Sequence, residues 1–127
     1  MQKLRGKVVS GTGDLSEKMS CVAGLSEAYK RKLGVDLFPG SLNIRLESAW
    51  SMPAQRIRLE KEEYGGLVSM NILPCRIRGE DCLILRTDGN ELGTGTHPKE
   101  IIEVASNVRL RDHFRLKDGD TIEVEIQ

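Results

Sequence analysis

Aromatic side chains are scarce: one Trp, two Tyr and two Phe stand in 127 residues. That leaves no stacking platform of the kind single-stranded nucleic acid needs. Charge of one sign is missing too, because 19 basic and 19 acidic side chains cancel. The basic field that gathers nucleic acid is absent, so no nucleic-acid partner is expected. Cysteine is sparse and odd in number: Cys21, Cys75 and Cys82 are far apart, with no C-x-x-C pair. This excludes a disulfide framework and a cysteine zinc site, and fits reduced thiols in the cytoplasm. The N-terminus has no apolar leader core, and no run approaches the length of a membrane span. A cytoplasmic protein without a membrane partner is the expectation.

What is present fits one domain over residues 1–127, with charged residues at 30% and apolar ones at 39%. "LRGKVVSG" reads as a strand that breaks at the glycine turn "SGTGD", and "KMSCVAG" as a second short strand. Leu25, Ala28, Tyr29 and Leu33 recur at helical spacing, with Gly34 where a C-cap belongs. "SLNIRLE", "RIRLE", "LVSMNILPCRIRG" and "DCLILRT" read as strands, Pro74 marking a bend or an edge. "DGNELGTGTHP" reads as a loop, "HPKEIIEVA" as a helix with Pro98 in its first turn, and "NVRLRDHF" as a helix capped by Asn107. In the closing strand Ile122, Val124 and Ile126 face inward. Six or seven short strands with three short helices predict a mainly β fold, a small closed barrel plugged or capped by helices.

Three stretches have residues that suit chemistry. In "SGTGD" a glycine turn directly after a strand can bring backbone N–H groups to a phosphate. No G-K-[ST] follows, so it is not a Walker A loop, and the same turn serves any tight hairpin. In "GSLN", Ser41 and Asn43 are two apart, so on a strand both side chains share a face. Their oxygens are of the type Mg²⁺ accepts, although a turn would also use them. Arg109 and Arg111 flank Leu110 at a predicted helix start, where guanidinium groups and a helix terminus can jointly hold an anion. Ordinary surface charge accounts for them equally well. His97 and His113, the only histidines, have no nucleophile elbow to serve.

The order of these stretches is more specific than any one of them. "GKVVSGTG", a short helix ending "KLG", "FPGSLNIRL", "HPKEIIEVAS", "RLRDHFRLKDGD" and a final alternating strand together resemble the archaeal-type CTP-dependent riboflavin kinases, over residues 6–126. The resemblance implies a six-stranded cradle-loop (RIFT-like) β-barrel with short helices. It implies a phosphotransferase that moves the γ-phosphate of CTP to the 5′-hydroxyl of riboflavin, giving FMN and CDP; a monomer is the expectation.

By position, Ser41 and Asn43 match the family's Mg²⁺ ligands, a Thr and an Asn. Ser10, Gly11, Thr12, Gly13, Asp14 and Leu15 match its CTP-phosphate loop, and Val108, Arg109, Leu110 and Arg111 a second nucleotide segment. Glu103 matches a flavin-contacting Glu, with orientation of the reacting hydroxyl as its further role. A flavin-contacting Thr of the family falls on Gly95, flanked here by Thr94 and Thr96. Arg109 or Arg111 is the expected stabiliser of phosphate charge.

The family's glycine loop carries a further Gly and an aromatic; "DLSEKMS" has neither. Some family members also have an N-terminal winged helix–turn–helix domain, and a strand beginning near Leu4 leaves no room for one here. A non-catalytic nucleotide- or flavin-binding module, and a kinase of another small alcohol on the same barrel, remain as alternatives.

Overall fold

The computed structural model describes residues 2–10, 25–38, 40–66, 68–93 and 98–127. Among these residues are seven strands: β1 (Gln2–Val9), β2 (Leu42–Leu46), β3 (Ile57–Leu59), β4 (Met70–Ile77), β5 (Glu80–Thr87), β6 (Ile101–Ala105) and β7 (Thr121–Ile126). The same residues include three α-helices, α1 (Leu25–Leu33), α2 (Asp88–Leu92) and α3 (Leu110–His113), and a short 3-10 turn at Lys61–Glu63. All pairings are antiparallel, in the order β3-β4-β5-β6-β2-β1-β7. A pairing of Arg76 with Glu125 joins β4 to β7 and closes six of the strands into a barrel.

Closure divides one edge of β4 between two partners. Met70, Asn71 and Ile72 pair with β3, whereas Arg76 pairs with β7. Pro74 sits at the changeover, where a missing N–H is tolerated. Gly6 meets both Leu46 and Ile122 in the ladders of β1. A Cβ there would collide with the Arg45 carbonyl oxygen and Ile44 Cγ2, so only glycine allows β1 to bend this tightly over β2.

Two apolar clusters hold the fold. The barrel interior contains Val8, Ile44, Ile84, Ile102, Val104 and Val124, all at most 1% exposed. Each such burial contributes roughly 1.5–3 kcal/mol. A second cluster lies on the outer wall, where Ala28 and Tyr29 of α1 pack with Leu37, Leu59, Met70, Ile72, Leu85 and Ala105. Strands β4 and β5 are therefore covered on both faces, which is why "MNIL" and "LIL" do not alternate.

Several sequence expectations hold. Helix α1 spans the expected residues, Gly34 ends it at φ 71°, and Ile122, Val124 and Ile126 point inward. Others are corrected. Residues 101–105, read as part of a helix, are strand β6: Ile102 and Val104 face the barrel interior, while Ala105 belongs to the outer cluster. Two-sided burial of a β-branched run imitated helical spacing. The expected loop at 88–98 begins with α2 instead, because Thr87 Oγ1 accepts the Asn90 N–H at 3.1 Å and Gly93 terminates the turn at φ 80°. Helix α3 starts at Leu110 rather than after Asn107. The predicted strand at residues 18–24 lies outside the described residues.

Strand directions give the barrel two distinct ends. At one, the loop holding Trp50 and Met52 adds to the interior cluster. At the other, Leu110 of α3 and Leu116 close the interior, with Phe114 packed against them.

Candidate active site

Three of the expected site residues, Ser41, Asn43 and Glu103, lie on the outer wall near the end closed by α3. In the β1–β2 ladder Val9 faces Asn43, and in the β2–β6 ladder Asn43 faces Glu103. Directly paired residues project to the same side, so Asn43 and Glu103 stand together outside the barrel. Ser41, two residues back, is half-buried on that same face.

Asn43 is 8% exposed, and its Oδ1 is fully buried without a hydrogen-bond partner among the described residues. A buried amide oxygen left unpaired costs about 1–3 kcal/mol, so native structures rarely keep one without a use. The hydroxyl of Tyr29, wholly buried under α1, is unpaired in the same sense. Burial pushes that hydroxyl's pKa well up, helped by Tyr64 and then Glu103, which keeps it neutral. Glu103 is thus neighbour to both atoms, facing Asn43 in the ladder and lying near the Tyr29 hydroxyl of α1.

These atoms suit a hard cation. Ser41 Oγ, Asn43 Oδ1 and the Glu103 carboxylate are all oxygen donors. Among the described residues no cluster of three or more His, Cys, Asp or Glu exists to cage a metal. A site with few protein ligands is of the type a hard cation such as Mg²⁺ can occupy with phosphate and water completing its shell.

The nucleotide-side residues converge at the same end. Ser10, the first residue after β1, donates its hydroxyl to Asp118 Oδ2 at 2.5 Å. Arg111 Nη2 donates to Asp118 Oδ1 at 2.9 Å. The Ser10 hydroxyl, and after it Arg111, hold the Asp118 carboxyl below the usual carboxylate range. Backbone bonds from Val8 N to Asp120 O and from Gly119 N to Val8 O, both 2.8 Å, clasp the end of β1 against the Asp118–Gly119 turn. The root of the glycine-rich stretch and the "VRLR" segment are therefore tied through one aspartate.

Within that segment Val108 is exposed and Arg109 pairs with Asp112 at 2.8 Å. Leu110 packs into the barrel core. Val108 and Leu110 also line a cavity of about 300 Å³ with Ser106, Asn107, Glu80 and His113. Asp81, Cys82, Ser106 and Asn107 are shared with a second groove of about 350 Å³, walled by Val35, Leu37, Leu83 and Ala105. Gly11, Thr12, Gly13, Asp14 and Leu15, and likewise Thr94, Gly95 and Thr96, lie outside the described residues.

One buried cation was not foreseen. Arg86, 3% exposed, donates to the carbonyls of Trp50 (2.6 Å), Lys99 (3.1 Å) and Ile101 (3.0 Å) and to Glu91 Oε2 (2.9 Å). It fastens the start of β6 to the Trp50 loop that follows β2, two residues from Glu103. The signal was available: Cys82, Ile84 and Arg86 alternate on the inward face of β5.

The family model for CTP-dependent riboflavin kinases, described as "Domain of unknown function DUF120", matches residues 8–126. The chain belongs to this family. Among curated proteins it is 32% identical over 131 residues to a riboflavin kinase of Methanocella arvoryzae, covering 98% of this chain and 56% of that protein. A riboflavin kinase of Archaeoglobus fulgidus is 35% identical, with 98% and 54% covered. One from Ignicoccus hospitalis is 33% identical, with 95% and 69% covered. The chain thus spans little more than half the length of the first two relatives. No helix among the described residues is long and apolar enough to cross a membrane.

Proposed function

We propose that this chain is a CTP-dependent riboflavin kinase, transferring the γ-phosphate of CTP to the 5′-hydroxyl of riboflavin to give FMN and CDP. The observation that carries the reading is the unpaired, buried Asn43 oxygen facing Glu103, one ladder step from the strand end that leads into the glycine-rich stretch. Family membership over residues 8–126 supports the choice of substrates.

Phosphoryl transfer asks a protein for positioning and charge neutralisation more than for covalent chemistry. Ser41 and Asn43 would hold Mg²⁺, which when bound neutralises charge on the transferring phosphate. Ser10, Gly11, Thr12, Gly13, Asp14 and Leu15 are assigned to the CTP phosphates, and Val108, Arg109, Leu110 and Arg111 to the nucleotide beside them. Arg111 is tied to Ser10 through Asp118, which would keep the two segments in register around the ligand. Glu103 accepts a hydrogen bond from the acceptor's reacting hydroxyl and orients it toward the phosphate. Gly95 with Thr94 and Thr96 is assigned to the flavin. The mostly aliphatic groove under Val35, Leu37 and Leu83 has the size and character to seat a flat heterocycle.

Under this reading the protein acts in the cytoplasm as a monomer. Incubating the chain with riboflavin, CTP and Mg²⁺ and separating the flavins tests the assignment. FMN should form in step with CDP, and its absence with every nucleoside triphosphate would sink the reading.

A further inference from the structure

The cations first expected to meet phosphate are already engaged: Arg109 with Asp112 and Arg111 with Asp118. Arg58 and Arg86 also have carboxylate partners, and Lys3 has Glu123. Arg45 and Lys7 differ. Neither makes an ion pair or a side-chain hydrogen bond among the described residues.

Their position gives this a meaning. Lys7 and Arg45 are direct partners in the β1–β2 ladder, two rungs from the Val9–Asn43 pair. Residues two apart on a strand share a face, so Arg45 lies on the same outer wall as Asn43, roughly 7 Å along it. Lys7 relates in the same way to Val9, the last residue of β1. Both side chains are exposed and line one cavity of about 350 Å³ with Arg5, Leu46, Glu47 and Thr121. Glu47 in that cavity pairs with neither. Like charges directly opposite on antiparallel strands repel and destabilise the pair. An anion between them would remove the repulsion, and the adjacent metal-binding oxygens would set how far it extends.

We propose that Lys7 and Arg45 form a phosphate grip for the nucleotide's polyphosphate chain, beside Asn43. The proposal rests on the kinase reading for the identity of the nucleotide, but the grip itself is a property of these two side chains. Arg45 supplies a planar fork that matches two phosphate oxygens; Lys7 supplies a compact point charge. Arg111 then serves chiefly to order the Ser10–Asp118 contact.

Titration calorimetry with two probes, CDP and inorganic tripolyphosphate, tests the grip at about 0.1 M salt, where exposed charges more than a Debye length apart are screened. Arg45→Gln and Lys7→Gln should each weaken both probes about tenfold, the scale of one charge-assisted hydrogen bond. Arg45→Lys should recover part of the loss. Lys3→Gln, the same charge change on the same strand, should leave both affinities unchanged. Melting temperatures of all variants, measured alongside, establish that they are folded.

Folded Arg45→Gln and Lys7→Gln proteins that bind both probes as the parent does, or that lose no more than Lys3→Gln, overturn the grip. So does a parent protein that binds neither probe. FMN formation by the parent, run in parallel, separates the two claims. Arg45-dependent tripolyphosphate binding without turnover keeps the grip and removes the kinase reading. Turnover with Arg45-independent binding does the reverse.

Discussion

Asn43 and Glu103 face one another across the β2–β6 ladder, on the outside of a barrel whose inside is filled with Val, Ile and Leu. An amide and a carboxylate are unusual choices for a covered strand face. If Asn43 orders the metal and phosphate, Asn43→Ala should lower turnover by at least ~10²-fold, the scale of losing one positioned catalytic group. Its Oδ1 has no partner among the described residues to leave behind, so chemical denaturation should show little loss of stability. Steady-state kinetics beside a urea melt checks both halves, and an unchanged rate removes Asn43 from the mechanism.

Tyr29 makes the complementary case. Its hydroxyl is buried and unpaired, and an unsatisfied hydroxyl costs about 1–3 kcal/mol. Tyr29→Phe should therefore stabilise the ligand-free protein by roughly 1 kcal/mol, read as a higher urea midpoint at unchanged slope. A lower midpoint would mean that the hydroxyl has a partner.

Much of this arrangement can be read in the chain, and the failures have physical causes. Helix α1, the final strand and the Ser41–Asn43 pair follow from spacing alone. Strand β6 was misread because Ile101, Ile102 and Val104 belong to a strand covered on both faces, where alternation is lost. Helix α2 was missed because Asp, Gly and Asn favour loops, and only the Thr87 cap and Gly93 make a turn of helix there. The meeting of residues 10, 43, 103 and 111 is a matter of ladder register and barrel closure, which no local pattern encodes.

The register of β6 has a direct mutational consequence. Ile102 is 1% exposed in the interior, whereas Ile101 is half-buried on the wall. Ile102→Ala should cost about 2–5 kcal/mol and Ile101→Ala clearly less. Equal losses in denaturant melts would contradict the strand assignment.

Arg86 holds three carbonyls and Glu91 with almost no exposure. Arg86→Met removes four hydrogen bonds and leaves the Glu91 carboxylate without its cation, and should cost about 3–5 kcal/mol, as for other broken buried ion pairs. Because the Lys99 and Ile101 carbonyls lie at the start of β6, any folded fraction should also bind flavin more weakly. Equilibrium unfolding and flavin fluorescence report the two effects.

Acid should act through the Arg58 cluster. Arg58 binds Asp88 at 2.6 Å and Glu60 at 2.9 Å, and Asn71 donates to Asp88 at 2.8 Å. Arg58, with lesser help from Asn71, holds the Asp88 carboxyl below the usual carboxylate range, and Arg58 with Ser69 does the same for Glu60. A lowered folded value means the stabilisation is complete above the ordinary carboxylate range near pH ~4 and is lost as pH falls through the lowered value. Melting temperature followed from neutral pH into acid should fall below that range, and fall less steeply in Arg58→Met. Parallel curves for the two proteins would show that other groups set the acid limit.

The central claim is tested most directly by crossing riboflavin with CTP, ATP, UTP and GTP in the presence of Mg²⁺ and measuring FMN. The account predicts FMN with CTP, far less with ATP, and loss of the CTP signal in Asn43→Ala. No FMN with any of the four nucleotides, or equal FMN from the parent and Asn43→Ala, would contradict it.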